Sequence, residues 1–187
     1  GNDAKIVFHI VPEWSFELGN RINLEGLRNN TSFTPISGSG WSYRYNADGY
    51  CIYSSEHKTG AINTYTQVFH SGIIEAVEIR LISNYRSKEV YNWLETQGAI
   101  MKALNQYGSL LEKLGVPKPW HLFGTILNGK GYIASAGWGD SSLPLDRNII
   151  NSLDGICTEE IPLNRALEPV FDSLSNAFGF SKSGCFE

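Results

Sequence analysis

The sequence predicts an α+β fold: an antiparallel or mixed sheet built from hairpins, one long amphipathic helix packed on it, and a short C-terminal helix. Three observations predict this. Strand-like runs come in adjacent pairs joined by short polar turns, not as strands alternating with helices, which argues against βαβ units. One stretch, 87–115, places apolar residues at steps of three, four and seven. Of 187 residues, 42% are hydrophobic and 18% charged, the balance of a chain that buries a core rather than staying disordered.

In chain order, Lys5–Val11 reads as a strand apolar on both faces, hence a central one, ended by Pro12. The segment from Trp14 to Arg28 has mixed periodicity and is expected to be irregular, with one helical turn. Asn29–Gly40 is polar and rich in Gly, Ser and Pro, so a loop. Two short strands, Trp41–Tyr45 and Gly49–Ser54, follow around Asn46-Ala47-Asp48, whose side chains suit a tight turn.

Ile62–His70 and Ile73–Ile82 are the clearest strands, with Ser71-Gly72 as a two-residue hairpin between them. That register puts Glu75 and Val77 on one face with Val68, Thr66 and Thr64, and this more apolar face is expected to meet the core. Ser87 is the expected cap of the long helix, which ends at Gly115. Its stripe of Val90, Leu94, Met101, Leu104 and Leu111 should face the sheet, with Lys88, Glu95, Lys102, Asn105, Glu112 and Lys113 toward water. Gly98 and Gly108 each weaken the helix by roughly 1 kcal/mol.

Asn128-Gly129 predicts a second hairpin, joining Trp120–Leu127 to Lys130–Ser135. Beyond it, 137–155 reads as loop with a helical turn near 148–153, then a strand at Ile156–Ile161. Pro169 suits the first turn of a last helix whose inner face is Phe171, Leu174 and Phe178. Residues 2–187 therefore read as a single α+β domain. Gly1 leads, with no initiator Met, straight into a strand-like segment, so the expectation is an excised C-terminal fragment of a longer protein.

The formal charge is -4 and the basic residues form no run, so the fragment is not expected to bind nucleic acid by itself. No apolar stretch is long enough to span a bilayer and no leader pattern opens the chain, so no membrane association is expected. Cys51, Cys157 and Cys185 are odd in number and widely spaced, which fits neither a disulfide framework nor a zinc site. The reading is a reduced, cytoplasmic protein without cofactor or metal.

The search for chemistry finds no catalytic set. His9, His57, His70 and His121 lack a second ligand at metal spacing, and His9 in a central strand reads as a core residue bonded to a neighbour. No serine sits in a G-x-S-x-G elbow and no glycine-rich stretch matches a phosphate loop. Glu75 and Glu78 have opposite parity on one strand and so cannot form a dyad. Ligand or partner candidates are Arg44, Asp48, His70 and Glu75. Arg44 and Asp48 stand among aromatics near a turn; they form either a binding edge or a structural pair bracing that turn.

Several segments together resemble one family. Lys5-Ile6-Val7-Phe8-His9-Ile10-Val11-Pro12, Arg44-Tyr45-Asn46-Ala47-Asp48-Gly49, the run from Tyr65 to Val77, and Leu167-Glu168-Pro169 through Leu174 to Gly179 are similar to the carboxy-terminal region of bacterial proteins with an amino-terminal AlbA-type (Schlafen AlbA_2) DNA-binding domain. The resemblance implies an upstream AlbA-type domain, linked to nucleic-acid or nucleotide binding, and a transcription-regulator context. It carries over no catalytic residue. Three functions stay open: an accessory or regulatory module acting through a ligand, a protein partner, the upstream domain or self-association; a hydrolase with a composite site around Arg44, His70 and Glu75; and a structural dimerisation domain.

Overall fold

The computed structural model describes residues 3–29, 33–37, 40–79, 82–85, 88–135 and 142–184. Its strands are β1 (Lys5–Pro12), β2 (Ser42–Asn46), β3 (Gly49–Ser55), β4 (Ile62–Phe69), β5 (Ile74–Glu78), β6 (Ile82–Tyr85), β7 (Lys88–Asn92), β8 (Trp120–Leu127), β9 (Ile133–Ser135), β10 (Ile149–Asn151) and β11 (Gly155–Cys157). Its helices are α1 (Trp93–Lys113) and α2 (Leu163–Ala177). Short 3-10 turns at Glu13–Phe16 and Glu25–Asn29 give the irregular segment its only helical character among the described residues. The fold is α+β, as the hairpins and the helical stripe predict.

Among the described residues the main sheet runs β10-β8-β1-β5-β4-β3-β2, and every pairing is antiparallel. β1 lies in its interior, between β5 and β8. Its apolar residues on both faces follow from that place: Ile6, Phe8 and Ile10 are buried on one side and Val7 on the other. Both helices cover the first side. Phe8 packs on Phe171 of α2 with ring centroids 5.6 Å apart, and Tyr107 of α1 hydrogen-bonds Thr66 of β4 at 2.7 Å. The opposite side of the sheet carries no helix among the described residues.

The β4–β5 hairpin forms, but its register is one residue off the expected one: Val68 pairs with Ile74, and Gln67 with Glu75. The loop is three residues, His70-Ser71-Gly72, closed by Gly72 in the left-handed region at φ 85°. His70 leaves the ladder because both its backbone groups are used elsewhere. Its N–H donates to the Asp48 carbonyl and its carbonyl accepts from Ile22 N–H. A one-residue slip exchanges the faces of a whole strand. Glu75 and Val77 thus lie on the helix-free side, while Ile74, Ala76 and Glu78 face the core. Glu78 is 1% exposed and accepts a hydrogen bond from the Ser37 hydroxyl.

The expected Asn128-Gly129 hairpin does not form. Asn128 and Gly131 are left-handed, at φ 56° and 88°, and they turn the chain out of the sheet. β9 then pairs parallel with β7 in a small second sheet, β6-β7-β9. The free edge of β8 takes two short strands instead, β10 against its end and β11 against its start. The helical turn expected near 148–153 is therefore strand β10. An Asn-Gly turn fixes local geometry; it does not choose the strand partner.

α1 starts at Trp93, capped by Asn92, so Val90 belongs to β7; Ser87 lies outside the described residues. The buried stripe is Trp93, Ile100, Leu104, Tyr107 and Leu111, with Met101 partly buried and Leu94 half-exposed. Two polar contacts set this rotation. The Trp93 indole N–H and the Gln97 amide both donate to Ser175 Oγ of α2, at 2.8 and 3.1 Å. That anchor turns Leu94 outward. Gly108 lets Leu163 and Trp120 close on the helix, whereas Gly98 faces open space.

α2 begins at Leu163 after extended Pro162, a full turn earlier than Pro169 suggested, so Pro169 lies inside it. The Thr158 hydroxyl accepts from Glu160 and Ile161 N–H and sets the entry turn. Phe171, Leu174 and Phe178 are buried as expected. No helix among the described residues is long and apolar enough to cross a membrane.

Candidate functional site

Antiparallel register places Arg44, Cys51, Gln67, Glu75, His9 and Phe123 on one rung across six strands of the helix-free side. Each is directly opposite the next, so their side chains stand side by side. The adjacent rung supplies Ser42, Tyr53, Tyr65, Val77, Val7 and Thr125.

At the centre of this array the Glu75 carboxylate holds two partners. His9 Nε2 lies 2.9 Å from one oxygen, and the Tyr65 hydroxyl donates to the other at 2.6 Å. The His9 hydrogen bond is the main influence holding the Glu75 carboxyl below its ordinary 4.5; partial burial pushes the other way and the Tyr65 hydroxyl again lowers it. Burial, then the bonded Glu75, push the Tyr65 phenol well above its usual range. Burial likewise raises the Cys51 thiol, although the Arg44 guanidinium opposes this. Cys51 therefore stays a protonated, buried thiol, which is not a nucleophile.

Because the folded state depresses the Glu75 pKa, its stabilising contribution is fully present above about pH 4.5 and is lost as pH falls through the folded value. The urea midpoint of wild type is therefore expected to exceed that of Glu75→Gln near neutrality. The gap should close as pH drops from about 5 toward about 3. A pH-independent gap would mean that Glu75 acts by packing alone.

Arg44 stands at the open end of the rung on β2, the strand at the edge of the sheet. Its Cζ lies 5.7 Å from the Tyr53 ring centroid. No Arg44–Asp48 ion pair braces the turn. Asn46 does that work: its Oδ1 accepts from Asp48 and Gly49 N–H, and its amide donates to Gln67 Oε1 at 2.8 Å. Gly49 is needed there, since a Cβ would sit 2.1 Å from the Val68 carbonyl oxygen. On the opposite side of β2, Arg28 Nε donates to the Tyr43 hydroxyl at 2.8 Å, with the guanidinium over the ring. Tyr43 and Tyr45 in turn pack on buried Tyr50, whose phenol burial pushes up to about 12. Neither arginine forms an ion pair among the described residues.

Of the four expected site residues, the structure joins Arg44 and Glu75 to one rung and leaves Asp48 and His70 off it. Asp48 is an exposed turn residue, and His70 sits in the hairpin loop beyond β4, three residues or roughly 10 Å along the strand from Gln67. His9, Tyr65 and Gln67 complete the array and were not singled out as a site, although the Tyr65–Val77 segment held two of them. Among the described residues, no group of three or more His, Cys, Asp and Glu side chains is placed to hold a metal ion.

The surface combines an exposed edge strand, aromatic rings and two arginines that form no ion pair among the described residues. The Tyr65 hydroxyl is the group bonded to Glu75 beside His9, and the rung neighbours of the His9–Glu75 pair are Phe123 and Gln67. No family model matches the chain, and no curated protein or solved structure matches it either.

Proposed function

We propose that the chain is an accessory or regulatory module of a bacterial modular protein with an AlbA-type domain upstream, and that it works by binding a partner rather than by turning over a substrate. One observation carries this reading: Arg28 and Arg44 flank an exposed edge strand, and neither has a carboxylate partner among the described residues. A guanidinium without a built-in acid is available to an incoming one. The segments that resemble the AlbA-associated region support it further, since Arg44–Gly49 and Tyr65–Val77 form the β2–β3 turn and the β4–β5 hairpin that build the rung. The net charge of -4 supports a protein rather than a nucleic-acid partner for this fragment. Buried Cys51 and Cys157, both free thiols, fit a reducing cytoplasm.

The test sets this against the hydrolase alternative. The chain and its Glu75→Gln variant are assayed against chromogenic carboxylate, phosphate and phosphodiester esters. No turnover above buffer is expected from either protein. Turnover by wild type that falls about a hundredfold or more in Glu75→Gln would replace the binding module with an enzyme.

A further inference from the structure

We propose that the β2 edge accepts an extended, acidic segment of a partner protein as an added strand, with two adjacent carboxylate side chains taken by Arg44 and Arg28. This rests on the binding-module reading and names its partner class.

An edge strand presents a row of unpaired backbone donors and acceptors, and proteins usually blunt such edges with charged side chains, proline, a bulge or a covering loop. β2 reads Ser42-Tyr43-Arg44-Tyr45-Asn46, has neither proline nor bulge, pairs with β3 unbroken from Ser42 to Asn46, and exposes its first four residues; its one charge, Arg44, repels a basic strand and admits an acidic one. Tyr43 and Tyr45 alternate along β2 and so project to one side, 42% and 48% exposed, and Trp41, just before the strand, is 44% exposed. Strand addition draws affinity from main-chain hydrogen bonds and specificity from pockets for alternate side chains. At the start of β2 lies a cavity of about 520 Å³ lined among others by Trp41, Tyr53, Glu56 and His57; the Glu56 carboxylate suits a neutral rather than an acidic side chain at that end of an added strand.

Charge selects the occupant. On an incoming strand, the residue opposite Arg44 projects to the Arg44 side of the sheet. Its neighbour projects to the other side, where Arg28 lies over Tyr43. Two consecutive acidic residues thus meet two guanidiniums, one on each side of the sheet. Two consecutive basic residues would meet like charges at both places. A second copy of β2 supplies the wrong sign as well, because its own central residue is Arg44.

The probe is a fluorescent peptide of roughly ten residues, alternating Thr and Val around a central Asp-Glu pair, read by anisotropy and by amide hydrogen exchange. The full chain is expected to bind it at least about tenfold more tightly than the same peptide with Lys-Lys at the centre. Protection should appear at the backbone of 42–46. Arg44→Glu combined with Arg28→Glu should lose about tenfold or more in affinity, and the single Arg44→Gln, which keeps a neutral polar edge, a smaller part of it. A proline inside the peptide should abolish binding by removing a ladder donor. Circular dichroism establishes that the variants stay folded. Equal affinity for acidic and basic peptides, binding untouched by the double variant, protection away from 42–46, or no binding of any peptide at about 1 mM each overturns the proposal. Any of those results with no ester turnover leaves the binding module standing, whereas turnover lost in Glu75→Gln removes the module itself.

Discussion

Gly155→Ala is expected to be among the most damaging single changes in the chain, costing about 3 kcal/mol or more of unfolding free energy. A Cβ at this position would lie 2.0 Å from the Ala166 carbonyl oxygen and 3.0 Å from its carbonyl carbon. Those are backbone atoms of α2, so no rotamer change relieves the contact. Either β11 leaves β8 or α2 lifts from the sheet, and with it Leu167, Val170, Phe171 and Leu174, all buried. Urea denaturation followed by tryptophan fluorescence measures the loss. A cost below about 0.5 kcal/mol would mean that β11 is not seated against α2 in solution.

Leu104→Ala should cost roughly 2–5 kcal/mol, the range for deleting a buried leucine side chain. Leu104 is 1% exposed on the stripe of α1 that meets the sheet. Lys102→Ala, at an exposed position two residues earlier, should cost well under about 1 kcal/mol. The contrast follows from helical period: one residue points into the core and the other into water. Equal, small effects on the urea midpoint would place the stripe against solvent.

The two predictions draw on different amounts of sequence information. Leu104 was legible, because its neighbours repeat at helical spacing. Gly155 was not, since nothing local announces that a helix backbone crosses at that glycine. The same division runs through the site. The existence of β4 and β5 follows from their β-branched and aromatic runs. Their register does not, because it depends on His70 being held by Asp48 and Ile22, residues far away in sequence. One residue of slip moved Glu75 from the expected core face to the open one.

Arg44 could be singled out by its polar, aromatic surroundings. That it forms no ion pair among the described residues could not, because that required knowing that Asn46, and not Arg44, satisfies the turn. The rung is hidden for a further reason. Each of its six residues is ordinary alone, and they become neighbours only when five strand pairings are registered together. The buried face of the helix differs from the expected one at Leu94 because Trp93 and Gln97 are fixed by hydrogen bonds to Ser175, and apolar periodicity carries no record of such bonds.

The interior position of β1 has a consequence for how the chain reaches this state. Its two neighbours are far along the sequence, with Val7 opposite Val77 on one side and Thr125 on the other. Such distant pairings close large loops before any contact rewards them, so the sheet is a slow-folding topology compared with its own hairpins. During synthesis β2–β3 and β4–β5 form from neighbouring residues while β1, made first, waits for β8. Until Trp120–Leu127 has left the ribosome, one side of β1 is an apolar strand edge open to pairing with other chains. Growth conditions that slow the ribosome between residues 80 and 120 should therefore raise the aggregated fraction of this protein, although no residue of the native state has changed.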